Sequence, residues 1–131
     1  MEKTILVIDD EENILTLLDD ILTAEGYKVI CSDGGDESID ILRKNNVDLL
    51  ILDMMMPKAT GQELYTSMRV TLEQEGIKEK CPPCIILTAH PAAENTQFLL
   101  MTSQGIKKLV PKPFQISELL TAIDEVLKGK I

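Results

Sequence analysis

Five polar residues stand out by type and by position: Asp9, Asp10, Asp53, Thr88 and Lys112. Each follows a short apolar run, directly or within two residues. Three carboxylates gathered at one place repel one another. At ~4 Å and an effective dielectric near 20, each pair costs on the order of 4 kcal/mol. A proton or a cation must relieve that. A hard cation with oxygen ligands is the natural answer, and Mg²⁺ commonly takes one or two carboxylates together with waters and a phosphate. Lys112 would supply positive charge from the other side, and Thr88 a hydroxyl donor. A phosphoryl group would complete the set, its transferring oxygens neutralised by the metal and the lysine.

Taken singly, each residue has an ordinary explanation. An aspartate at a strand end is usually a turn residue or a helix cap. Asp9-Asp10 ahead of Glu11-Glu12 would also favour a helix N-terminus. A lone lysine is commonly a surface residue and a lone threonine a strand-end hydroxyl. Their joint placement carries the argument, and that depends on the elements that hold them.

The chain alternates short apolar runs with longer amphipathic ones. Residues 4–8 form a β-like run ending at Asp9-Asp10. Ile14, Leu17, Leu18, Ile21 and Leu22 recur at helical spacing, and Gly26 is a plausible stop. Residues 27–31 predict a second strand, and Gly34-Gly35-Asp36 opens a helix carrying Ile39, Ile41 and Leu42. Residues 47–52 are apolar except for Asp48, as suits a central parallel strand covered on both faces, and lead to Asp53. Thr60-Gly61-Gln62-Glu63 has the capping-box pattern and starts a helix to about Glu75. A polar loop follows, then a fourth strand over 84–88, a helix over 92–104 stopped by Gly105, a short strand over 108–110, and a last helix marked by Ile116, Leu119, Leu120, Ile123, Val126 and Leu127. Five strands alternating with five helices predict an α/β fold: a doubly wound parallel sheet between two helical layers. Ligands of such sheets bind beyond the carboxyl ends of the strands, where strand order reverses. All five polar residues converge on that edge.

Composition narrows the classes. The 131 residues suit one domain, 1–131, with no second domain expected. Hydrophobic content is 44% and aromatic content 3%, with no tryptophan, so the core must be aliphatic. A net charge of −9 carries no basic footprint for nucleic acid or for a membrane surface. Three cysteines argue against a disulfide framework, and no run nears the ~20 apolar residues needed to span a bilayer. A soluble, cytoplasmic protein is the expectation.

Four segments, in order, resemble the receiver domain of two-component response regulators (the CheY-like family). They are Ile5-Leu6-Val7-Ile8-Asp9-Asp10, Leu50-Ile51-Leu52-Asp53-Met54-Met55-Met56-Pro57 with Gly61 beyond, Leu87-Thr88-Ala89, and Val110-Pro111-Lys112-Pro113-Phe114. The resemblance spans essentially the whole chain. It implies a flavodoxin-like sheet of strand order 2-1-3-4-5. It implies that Asp53 attacks a phosphohistidine of a partner histidine kinase or histidine phosphotransfer protein. Asp10, Asp53 and the Met55 carbonyl would ligate Mg²⁺, with Asp9 acting through a metal-bound water. Thr88 and the amides of Met54 and Ala89 would bind phosphoryl oxygens. Lys112 would pair with the phosphoryl group, preceding a cis Lys112–Pro113 bond. The acyl phosphate then hydrolyses, so the module is a signalling switch, not an enzyme with an external substrate, and passes its state to an effector protein or output domain. Phosphorylation-dependent homodimerisation is left open. One position departs from the family: the aromatic often found three residues before the lysine is Leu109, so a readout by an aromatic rotamer is not available.

Other signals weigh less. Cys81-Pro82-Pro83-Cys84 precedes a strand where a redox motif would open a helix, and no histidine stands near it for zinc, so Cys84 is expected as a small core residue. His90, the single histidine, is expected as an exposed rim residue; the sharper reading has it flank the path of the attacking water with Met55. A haloacid-dehalogenase-type phosphatase also uses an aspartate after a central strand, but needs a second aspartate two residues on, where this chain has Met55. A module that binds partners without being phosphorylated would have no need of the complete set of five.

Overall fold

Parallel strands buried on both faces must be apolar at every position, whereas edge strands can relax that demand. The computed structural model describes residues 2–89 and 104–129, and its strands sort in this way. In chain order the elements are β1 (Thr4–Ile8), α1 (Glu12–Ala24), β2 (Lys28–Ser32), α2 (Asp36–Lys44), β3 (Leu49–Asp53), α3 (Gly61–Gln74), a 3₁₀ turn (Lys78–Lys80), β4 (Cys84–Thr88), β5 (Ile106–Pro111) and α4 (Ile116–Leu127). The sheet is parallel throughout, in the order β2-β1-β3-β4-β5. Every residue of β3 and β4 is buried, while β2 and β5 at the edges are only partly so.

Side-chain alternation divides the core in two. Ile5, Val7, Leu49, Ile51, Ile85, Leu87 and Val110 face α1 and α4, where Leu18, Leu22, Leu119 and Ile123 close the layer. Leu6, Ile8, Leu50, Leu52, Ile86 and Ile106 face α2 and α3, meeting Leu42, Tyr65, Met68 and Leu72. The three-layer arrangement expected from the sequence is thus present. Four α-helices lie among the described residues; the helix expected over 92–104 falls outside them except at Gln104, as does His90.

Boundaries moved by a residue or two. The second strand sits one residue later than expected, because Tyr27 still belongs to the turn around Gly26, whose φ is +94°. Asp48 stays outside β3; its N–H donates to the Thr4 carbonyl and its Oδ2 accepts from the Thr4 N–H, both at 2.8 Å. This polar clamp sets β3 beside β1 from the first rung. The capping box is present in both directions: Thr60 Oγ1 accepts from the Glu63 N–H at 3.1 Å, and Glu63 Oε1 accepts from the Thr60 N–H at 3.0 Å. It fixes where α3 begins, eight residues past Asp53.

Candidate functional site

The sheet delivers the five polar residues as expected. Asp9 and Asp10 follow β1 directly, Asp53 and Thr88 are the last residues of β3 and β4, and Lys112 follows β5. Carboxylate oxygens of Asp9, Asp10 and Asp53 lie within 4.8 Å of one another. Asp9 and Asp53 are buried, Asp10 exposed. Lys112 Nζ reaches Asp53 Oδ1 at 3.1 Å and Asp9 Oδ2 at 3.2 Å. The Lys112 N–H donates to the Thr88 carbonyl at 2.7 Å, which ties the lysine to the end of β4, and the Lys112–Pro113 bond is cis.

Electrostatics follow from this packing. Burial pushes the Asp9 carboxyl up from its ordinary value, and the charge of Asp53 adds to that push; the Glu11 amide, donating to Oδ1 at 2.9 Å, and Lys112 pull the other way without overcoming it. Burial alone would lower the Lys112 ammonium, but its pairing with Asp53 and Asp9 more than offsets this and its pKa stands above the usual lysine value. Lys112 is therefore fully charged near neutral pH. One ammonium cannot balance three carboxylates. Among the described residues Asp10 has no hydrogen bond or ion pair. The remaining negative charge, the exclusively oxygen donors and the exposure of Asp10 suit a hard divalent cation such as Mg²⁺.

The surrounding residues are placed as follows. Met55, two residues past Asp53, is 65% exposed, and Ala89 is exposed after Thr88. The Met54 amide differs from expectation: its N–H closes the last rung of the β3–β4 ladder on the Leu87 carbonyl at 2.8 Å, so it is not offered to a ligand in this conformation. Leu109 is half-buried against the α2–α3 side of the core, where an aromatic would otherwise sit. Cys84 is buried, Cys81 half-buried, and both are free thiols. Gly61, named from the sequence in the acceptor-strand resemblance and the capping box, packs so closely on Asp53 that a Cβ there would lie 2.5 Å from the Asp53 carbonyl oxygen. One contributor was missed from the sequence: Ser32 accepts the Asp9 N–H on its carbonyl at 3.2 Å. That contact has no local sequence signal, since it joins segments distant in the chain.

A parallel sheet of this order with an acidic, lysine-bearing carboxyl edge defines a class of phosphoryl-handling α/β switches. The sequence profile of the response regulator receiver domain matches residues 5–124. The chain belongs to that family: it is a receiver domain of two-component response regulators. It is 34% identical over 124 residues to the transcriptional regulatory protein GlrR of Escherichia coli (strain K12), covering 95% of this chain and 26% of that protein. It is 33% identical over 124 residues to the transcriptional regulatory protein CpxR of the same strain, covering 95% of this chain and 49% of that one. The chain thus spans half the length or less of these relatives. Among solved structures, the response regulator TrrA of Thermotoga maritima, determined in complex with Mg²⁺–BeF, superposes with a TM-score of 0.73 at 30% identity, covering 95% of this chain and 98% of that one.

Proposed function

We propose that Asp53 is the phosphoryl acceptor of this receiver, and that Asp9, Asp10 and Asp53, with the Met55 carbonyl, hold the Mg²⁺ the reaction uses. The observation that carries this reading is Lys112 Nζ set 3.1 Å and 3.2 Å from two buried carboxylates that share their pocket with a third, exposed one. A carboxylate oxygen of Asp53 attacks the phosphorus of a phosphohistidine on a histidine kinase or phosphotransfer protein. The P–N bond breaks, the imidazole leaves and takes a proton from solvent, and an acyl phosphate forms. Bound Mg²⁺ would neutralise charge on the transferring oxygens. Lys112 pairs with the same group, and Thr88 and the Ala89 amide bind its oxygens. Water then attacks phosphorus, releasing inorganic phosphate and restoring Asp53. The chain turns over no external substrate. It acts as one receiver domain over 1–131, in the cytoplasm, and signals to an effector or output domain. No described helix is long and apolar enough to cross a membrane.

Incubation with acetyl phosphate and Mg²⁺, followed by intact-mass measurement, tests the assignment. Wild type gains the mass of one phosphoryl group and Asp53→Ala does not. No gain on wild type, or the same gain on the variant, refutes it.

A further inference from the structure

Asp10 is the one carboxylate of the three that Lys112 does not reach. With no hydrogen bond or ion pair among the described residues, its position is set by the backbone of the Asp9-Asp10 segment. Repulsion within the cluster pushes that segment outward, so something must hold it. Lys112 and the Glu11 N–H hold the Asp9 carboxylate, and the end of β2 holds the backbone of the segment. The last β1–β2 pair sets Ile8 opposite Ser32, and the Asp9 N–H then donates to the Ser32 carbonyl at 3.2 Å.

Ser32 is itself held by a second contact. Its hydroxyl lies 2.9 Å from the hydroxyl of Ser38 in the first turns of α2, and both residues are almost wholly buried, at 3% and 0% exposure. The Gly34 N–H also donates to Ser32 Oγ, at 3.2 Å. One hydroxyl pair therefore pins three things together: the end of β2, the Gly34-Gly35 turn and α2. That turn forms one wall of a groove of about 390 Å³ whose other lining includes Asp10, Met56 and Pro57. An apolar pair at these positions would fill space equally well. It would not fix the height of Ser32 along the strand, because dispersion is not directional and a hydrogen bond is.

Resting on the reading of Asp9, Asp10 and Asp53 as the cation site, we infer that Ser32 and Ser38 are positioning residues for that site: their buried hydroxyl pair anchors β2, and β2 anchors the backbone that carries Asp9 and Asp10. A purely structural role would make them core fillers whose loss lowers stability and nothing else. The two roles separate when cation affinity and stability are measured together.

The full chain is titrated with Mg²⁺ and followed by amide chemical shifts, while urea denaturation by circular dichroism gives stability. Ser38→Ala and Ser32→Ala weaken Mg²⁺ binding about three- to tenfold, the worth of one directional hydrogen bond. Ser32→Thr keeps the hydroxyl in a strand-compatible residue and, despite the added buried methyl, loses less affinity than Ser32→Ala. Leu42→Val, a core truncation on the same helix, lowers stability and leaves affinity unchanged. Wild-type affinity in both alanine variants overturns the inference, as does an equal loss in Leu42→Val. A wild type that binds no Mg²⁺ overturns the inference together with the cation assignment. Phosphorylation of wild type by acetyl phosphate reports separately on Asp53.

Discussion

Gly61→Ala tests how tightly Asp53, the proposed acceptor, is built into the fold. Ala is the better helix former by up to ~1 kcal/mol in a helix interior, so propensity alone predicts stabilisation at the start of α3. The contacts predict the reverse. The new Cβ would stand 2.5 Å from the Asp53 carbonyl oxygen, 3.1 Å from its carbonyl carbon and 3.3 Å from the Met54 Cα, all backbone atoms of the acceptor segment. Restoring an ordinary 3.4 Å contact to that oxygen requires α3 and the end of β3 to part by about 0.9 Å, the difference from 2.5 Å. The Gly61 N–H donates to the Met54 carbonyl at 2.8 Å, and parting by that amount along the bond would stretch it past hydrogen-bonding range. Overpacking of this kind costs about 1–3 kcal/mol, and the lost backbone bond about 1 kcal/mol more. The expected result is a urea midpoint corresponding to a net loss of roughly 1–3 kcal/mol after the propensity gain. Displacement at Asp53 should also slow acyl-phosphate formation from acetyl phosphate, because a shift near 1 Å at a reacting group can cost on the order of a hundredfold. Stability equal to or above wild type, with an unchanged phosphorylation rate, would refute the reasoning.

The other expectations concern charge and thiols. Glu63 is held below the usual carboxylate range by its hydrogen bonds from Thr60 in the capping box. A carboxyl depressed in the folded state stabilises it above the unfolded pKa, and that stability is lost as pH falls through the folded value. A carboxyl-carbon NMR titration should place the Glu63 midpoint below 4.5, and Glu63→Gln should flatten the acid limb of the stability curve; a midpoint at or above the ordinary value would contradict the cap. Burial raises the thiols of Cys31, Cys81 and Cys84, Cys84 the most. At pH 8 the folded protein should be alkylated by iodoacetamide far more slowly than the urea-unfolded chain, with Cys84 last by peptide mass mapping. Rapid labelling of Cys84 in the folded protein would show that the strand it occupies opens readily.

The site was legible because its residues are polar groups at the ends of apolar runs, and period and chain order alone put those ends on one edge. Asp9, Asp53 and Thr88 needed nothing further. The fold was legible for the same reason: β3 and β4 are uninterrupted apolar runs, and Thr60 and Glu63 announce α3 by a local motif. The unread parts are contacts between distant segments. Gly105 resembles a simple helix stop in sequence, yet a Cβ there would fall 2.2 Å from the Tyr65 hydroxyl, which itself donates to the Pro82 carbonyl at 2.7 Å. Ser32 and Ser38 carry no local signal of burial, yet the edge strand and its helix bury them. Met54 looked like a free amide until the register of β3 on β4 gave its N–H to Leu87.

The proposed acceptor chemistry and its readout involve different parts of one strand pair. The proposed chemistry uses the carboxyl ends of β4 and β5, where Thr88 pairs with Pro111 and the Thr88 carbonyl takes the Lys112 N–H. Those contacts are made by the backbone, and they set beside each other the Thr88 hydroxyl and the Lys112 ammonium that the proposed chemistry needs. A rotamer readout would use Leu109, opposite Ile86 in the same ladder and half-buried beside the core shared by α2 and α3. Leucine has no ring to swing between buried and exposed positions. Among the described residues, a shift at Thr88 meets the β4–β5 backbone and aliphatic packing, with Leu109 in place of a ring. The backbone bond between Thr88 and Lys112 is the first contact along that route, joining the end of β4 to the lysine.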